Sequence, residues 1–266
     1  MKNNFLGFIY SMIPKLIPKL IPKVIHQIWI QGFNMIPNKF KKYKQDCQKI
    51  NNDFEFILWD DHKIKKFLEE NYSEDFLELY NFYKIPAQKA DFARYAILFK
   101  YGGIYLDMDM LCKKNLVPFL NYNVFFTRHA FSINKTYLNG ILGAQPKHPL
   151  FTIILRLIFE RKNSFKDVRF STGTKLLYDS VQEYLTKYQN DITIIDPKHL
   201  HPCDIYTNER RCSQYCRDCY VVHMNNGSWS SGLKIINFLK ENLFFILFLL
   251  IMVLLYIYLK NGIIIL

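Results

Sequence analysis

Between Ile85 and Asp109 the chain reads IPAQKADFARYAILFKYGGIYLDMD. Pro86 suits the first position of a helix, an alanine-rich run follows, and Gly102-Gly103 supplies the left-handed conformation that stops it. Ile104-Tyr105-Leu106 is then a short buried strand with Asp107 and Asp109 at its carboxyl end, where open α/β sheets bind ligands. Residues i and i+2 of an extended chain project to one side, so the two carboxylates converge. That geometry suits a hard divalent cation, Mn²⁺ or Mg²⁺, completing its shell with water and diphosphate oxygens. Asp91 and Arg94 share a face of the preceding helix. Arg94 can donate bidentate hydrogen bonds while Asp91 accepts from hydroxyls, a pairing suited to a sugar; the plainer reading is a surface ion pair.

Working outward, Val24 to Ile30 and Phe54 to Trp59 have strand character, as do Val124 to Thr127, Tyr137 to Leu142, Ile192 to Ile195 and Tyr220 to His223. Helical spacing covers His62 to Asn71, Ser73 to Lys84, Pro149 to Arg161 and Thr174 to Tyr188, with Ser73 placed to cap the second of these. Strands alternating with helices predict a mixed α/β sheet covered on both sides. Asp60-Asp61 either caps the following helix or approaches a ligand.

The 266 residues carry a formal charge of +12, are 50% hydrophobic and 17% aromatic. Disorder throughout is excluded, and the scattered lysines form no basic run that would point to nucleic acid. Residues 1–20 hold a short apolar segment, Phe5 to Ile13, then an Ile-Pro-Lys repeat whose prolines forbid a regular helix. Leu243 to Leu259 is 17 residues without a charge, roughly 26 Å as a helix, and reads as a C-terminal transmembrane anchor.

Four segments together, Ile21 to Trp29, Leu58 to Asp61, Ala90 to Tyr95 and Tyr101 to Asp109, resemble the successive motifs of the D-x-D sugar-binding glycosyltransferases of family 32. This group includes inositol phosphoceramide mannosyltransferases and initiating α-1,6-mannosyltransferases. The resemblance covers residues 21–232 and implies a GT-A (Rossmann-like) fold and a retaining transfer of a hexose, best matched by mannose from GDP-mannose. The acceptor it implies is a lipid or glycan at a membrane of Golgi or endoplasmic-reticulum type. It places Asp107, Asp109 and His223 on the metal and Asp91 and Arg94 on the donor sugar. Trp29, Ser228 and Trp229 fall at the nucleotide, Trp29 having a core aromatic as its alternative, and no nucleophile is implied. Lysines before the apolar span favour a cytosolic catalytic domain, whereas the resemblance implies a lumenal one.

Cys203, Cys212, Cys216 and Cys219, with His199 and His201 nearby, suit either zinc or disulfides. Cys47 and Cys112 read as free thiols. Asn71-Tyr72-Ser73, Asn134-Lys135-Thr136 and Asn226-Gly227-Ser228 are glycosylation sequons. Two other classes carry a D-x-D: a haloacid-dehalogenase-type phosphatase, which needs a later acidic pair that no segment supplies, and a non-enzymatic membrane adaptor on a transferase fold.

Overall fold

The computed structural model describes residues 20–129, 136–203, 212, 216, 218–224, 239 and 243–260. The chain divides into two compact units, residues 1–224 and 225–266. Trp229, Ser228, the sequon at Asn226, Asn134 and Lys135 of the sequon at Asn134, the N-terminal apolar segment and the Ile-Pro-Lys repeat as far as Lys19 lie outside the described residues.

The first unit begins with β1 (Val24–Ile28), α1 (Asn38–Ile50), β2 (Glu55–Trp59), α2 (Asp61–Asn71) and α3 (Glu74–Phe82). Next come α4 (Pro86–Tyr101), β3 (Gly103–Leu106), β4 (Met110–Cys112), β5 (Val124–Arg128) and β6 (Tyr137–Ala144). It closes with α5 (Pro149–Glu160), α6 (Val168–Ser171), α7 (Thr174–Lys187), β7 (Ile192–Ile195), α8 (Pro197–Leu200) and β8 (Val221–His223). Among the described residues the main sheet has the order β2-β1-β3-β6-β5-β7, and β4 pairs with β8 in a separate ribbon. Strands β1, β2 and β3 run parallel, while β6 is antiparallel to both β3 and β5. The sheet is therefore mixed, as the alternation of elements predicts.

Hydrophobic side chains cover both faces. Ile64, Phe76, Phe92, Phe99, Ile154 and Leu177 pack on one side, and Ile25, Ile104, Leu106, Leu116, Leu200 and Val221 on the other. Helix α4 is buried continuously from Asp91 to Phe99. Such a helix needs an abrupt end, and Gly102 and Gly103 provide it with φ of 66° and 94°. A Cβ on Gly102 would lie 2.7 Å from the Pro146 ring, and one on Gly103 would lie 2.7 Å from the Val24 carbonyl. The positive φ and the close approach both demand glycine.

Asp60 caps α2 by accepting from the Lys63 amide at 2.9 Å, and Asp61 meets Lys65, Lys89 and Tyr80. Both carboxylates are thus spent on structure. Ser73 occupies the cap of α3 as expected but makes no side-chain cap bond. The free-thiol reading of Cys47 and Cys112 is corrected: they form a disulfide between α1 and β4, their Cα atoms 4.9 Å apart. Their separation of 65 residues in sequence left no local signal. Cys203 pairs with Cys212 and Cys216 with Cys219, so the sulfurs of the zinc alternative are bonded to one another.

The second unit contains α9 (Leu243–Lys260), at the position of the expected anchor. Its side chains from Leu247 to Ile257 are exposed. Among the described residues no helix is long and apolar enough to cross a membrane.

Candidate active site

The backbone at the end of β3 is fixed from two directions. The Asp107 amide donates to the Gly140 carbonyl of β6 at 2.9 Å, and the Met110 amide turns back to the Asp107 carbonyl at 3.2 Å. Met110 then pairs with His223 across the β4–β8 ribbon, and the Met224 amide donates to the Asp109 carbonyl at 3.0 Å. This ribbon carries His223 to the D-x-D, where its Nε2 lies 3.1 Å from an Asp109 carboxylate oxygen. Asp107, Asp109 and His223 each offer one ligand atom, all within 4.8 Å of one another. Two carboxylates and an imidazole fit a divalent cation that keeps open positions for oxygen ligands.

Gly140 gives Asp107 its room, since a Cβ there would stand 2.7 Å from the Asp107 Oδ2. The Tyr105 hydroxyl donates to Asp107 Oδ1 at 2.6 Å. Burial raises the Asp107 pKa, Arg94 opposes the rise, and the Asp109 charge adds to it. For His223 burial works downward, but the Asp109 and Asp107 carboxylates together outweigh it and the pKa is raised.

Asp91 and Arg94 share a helix face as expected, yet they are buried rather than on the surface. The Arg94 Nη2 lies 3.2 Å from Asp91 Oδ1 and its Nη1 3.4 Å from Asp107 Oδ1. Its Nη1 also donates to the Asn139 carbonyl at 2.6 Å, its Nε donates to the Ala90 carbonyl at 3.3 Å, and its guanidinium stacks 4.2 Å above the Tyr105 ring. Asp91 accepts from Asn139 at 2.8 Å on one oxygen and from the Thr172 hydroxyl at 3.0 Å on the other. Burial lifts the Asp91 pKa to about 6, against the pull of Arg94. With roughly four lone-pair directions on a carboxylate and five N–H groups on a guanidinium, these contacts leave one acceptor on Asp91 and one donor on Arg94.

Trp29 packs edge-on against Phe40 at 5.7 Å, in a cluster with Ile36, Tyr43 and Met108. Among the described residues its indole Nε1 is buried without a partner. Because Met108 lies between the two aspartates, this cluster borders the site. Sequence reasoning missed Asn139, Tyr105 and Thr172. An Asn-Gly inside a strand was a usable signal for the first; Thr172 offered none, since it reaches Asp91 only through the packing of α6 against α4.

Residues 37–126 match the family described as "Glycosyltransferase sugar-binding region containing DXD motif". An uncharacterized glycosyltransferase of Acanthamoeba polyphaga mimivirus is 49% identical over 223 residues, covering 83% of this chain and 88% of that protein. Inositol phosphoceramide mannosyltransferase 1 of Schizosaccharomyces pombe is 32% identical over 211 residues, covering 77% of this chain and 60% of the yeast protein. The chain thus spans most of the viral relative's length but less than two thirds of the yeast enzyme's. Sequence identity across the catalytic unit, together with the D-x-D at the end of β3 in a mixed sheet, places this chain among the D-x-D sugar-binding glycosyltransferases of family 32.

Proposed function

We propose that the protein transfers a hexose, mannose from GDP-mannose being the best match, to a lipid or glycan acceptor at an endomembrane, with retention of anomeric configuration. The observation that carries this reading is the convergence of Asp107, Asp109 and His223 beside the buried Asp91–Arg94 pair. Asp107, Asp109 and His223 would hold Mn²⁺ or Mg²⁺, the imidazole favouring Mn²⁺. When bound, the ion neutralises charge developing on the leaving diphosphate.

The chain's own residues do the rest. The remaining acceptor of Asp91 takes a sugar hydroxyl and the remaining Arg94 N–H donates to another, while Asn139 and Thr172 hold the Asp91 carboxylate in one orientation. Trp29 is assigned to the nucleobase side, with its unpartnered Nε1 as the group available there. Trp229 and Ser228 are assigned to the diphosphate by family resemblance. No side chain is assigned as a nucleophile.

The lipid acceptor is supported by the yeast relative's name and by the apolar, exposed α9, which we assign as a membrane anchor. Pairing of all six cysteines supports an oxidising, lumenal setting for the catalytic unit. Family membership removes the phosphatase alternative, and intact carboxylates argue against a non-catalytic adaptor.

The test is hydrolysis of, and transfer from, a panel of nucleotide sugars with and without Mn²⁺. Asp107→Asn and Asp109→Asn are each expected to abolish both reactions while leaving the thermal unfolding cooperative. A variant turning over at the wild-type rate would sink the assignment, and preference for a UDP-sugar would replace mannose.

A further inference from the structure

The loop from Arg161 to Ser171, comprising a 3₁₀ turn (Lys162–Ser164) and α6, presents apolar rings to water. Phe165 and Phe170 are 41% and 36% exposed, and Phe82 at the end of α3 is 45% exposed. Phe82 and Phe165 meet edge to face at 5.9 Å. Around them stand the exposed Lys84, Lys162, Lys166 and Arg169. Among the described residues none of these four forms an ion pair, whereas neighbouring Arg161 is held by Asp179 at 2.9 Å. The acidic residues nearby are Asp167, which caps α6 through the Phe170 amide, Asp179, taken up by Arg161 and Lys175, and Glu78, one turn before Phe82.

This loop is tied to the helix that carries Asp91. The Gln88 amide donates to the Phe165 carbonyl at 2.8 Å and to the Ser171 hydroxyl at 2.9 Å, and the next residue, Thr172, holds Asp91. Aromatic rings set among unpaired cations match the composition of surfaces that sit in the headgroup layer of anionic membranes.

We propose that Phe82, Phe165 and Phe170, with the surrounding cations, form a docking patch for an anionic bilayer, seating the Asp91 edge of the catalytic unit at the headgroups. The docking is independent of which sugar or acceptor is used. It differs from the anchoring assigned to α9, which would hold the chain at a membrane without fixing how the catalytic unit lies on it.

The experiment uses the full chain with Phe165→Cys carrying an environment-sensitive fluorophore, reconstituted into vesicles of phosphatidylcholine alone or with phosphatidylserine. The emission shifts to the blue, and doxyl-lipid quenching appears, on the anionic vesicles. Adding Lys162→Ala with Lys166→Ala lowers the docked-to-undocked ratio about 30-fold, at roughly a fivefold loss per lysine, with donor hydrolysis unchanged. A probe that stays in water on both vesicles while the protein floats with them overturns the docking and leaves the anchor standing; failure to float overturns both. Equal shifts on neutral vesicles, or a shift produced by soluble polyglutamate in place of lipid, also overturn it.

Discussion

The two aspartates were legible because their type and spacing state a chemistry; what surrounds them was not, because it is assembled by pairing. Asp107 keeps its position because β6 presents a residue without a side chain opposite it, and that dependence can be measured. Gly140→Ala places a methyl 2.7 Å from the carboxylate oxygen. We expect Mn²⁺ affinity by calorimetry to fall at least tenfold with little change in unfolding midpoint; unaltered affinity would show that the carboxylate can step aside. A second residue-level consequence concerns His26, whose Nε2 lies 3.0 Å from the Gly102 carbonyl and whose Nδ1 accepts from Trp59 at 3.2 Å. One ring nitrogen donates and the other accepts, so the imidazole is neutral, and burial lowers its pKa to about 4. Below pH 6.5 the unfolded chain takes up a proton that the native state refuses. Stability from this group is therefore full above pH 6.5 and declines as pH falls to about 4, by about 3 kcal/mol in all. Urea titrations at pH 7 and 4.5 check this: His26→Gln should flatten the difference, and an unchanged slope would refute it.

At the scale of elements, strands as short as β3 and β8 were readable, whereas α1 and β4 were not. Helix α4, its Gly-Gly stop and β3 follow from local sequence alone. Helix α1 escaped because Asn38–Ile50 is mostly polar, with Phe40, Tyr43 and Cys47 as its buried residues. Strand β4 has three residues and exists because β8 pairs with it. The Cys47–Cys112 link joins the first of these to the second within the stretch that brings in His223, Cys112 standing opposite Val221 where Met110 stands opposite His223. Replacing both cysteines by serine opens a loop of 65 residues and is expected to cost about 4 kcal/mol by denaturant unfolding. A loss under about 1 kcal/mol would mean that packing holds the helix to the ribbon by itself.

For the whole molecule, the reading proposed above gives membrane residence to α9 and chemistry to the first unit. A chain ending at Asn242 is expected to remain in the supernatant of neutral phosphatidylcholine vesicles while retaining metal-dependent donor hydrolysis. Continued pelleting with those vesicles would assign the attachment elsewhere. The 114 residues separating Asp109 from His223 also set an order of events during synthesis. At ribosomal speed that interval is roughly 6 to 23 s, and β8 supplies the last member of the proposed ligand set. A nascent or prematurely terminated chain therefore possesses both aspartates yet lacks the histidine, so under the proposed assignment its metal site stays incomplete until translation has passed β8.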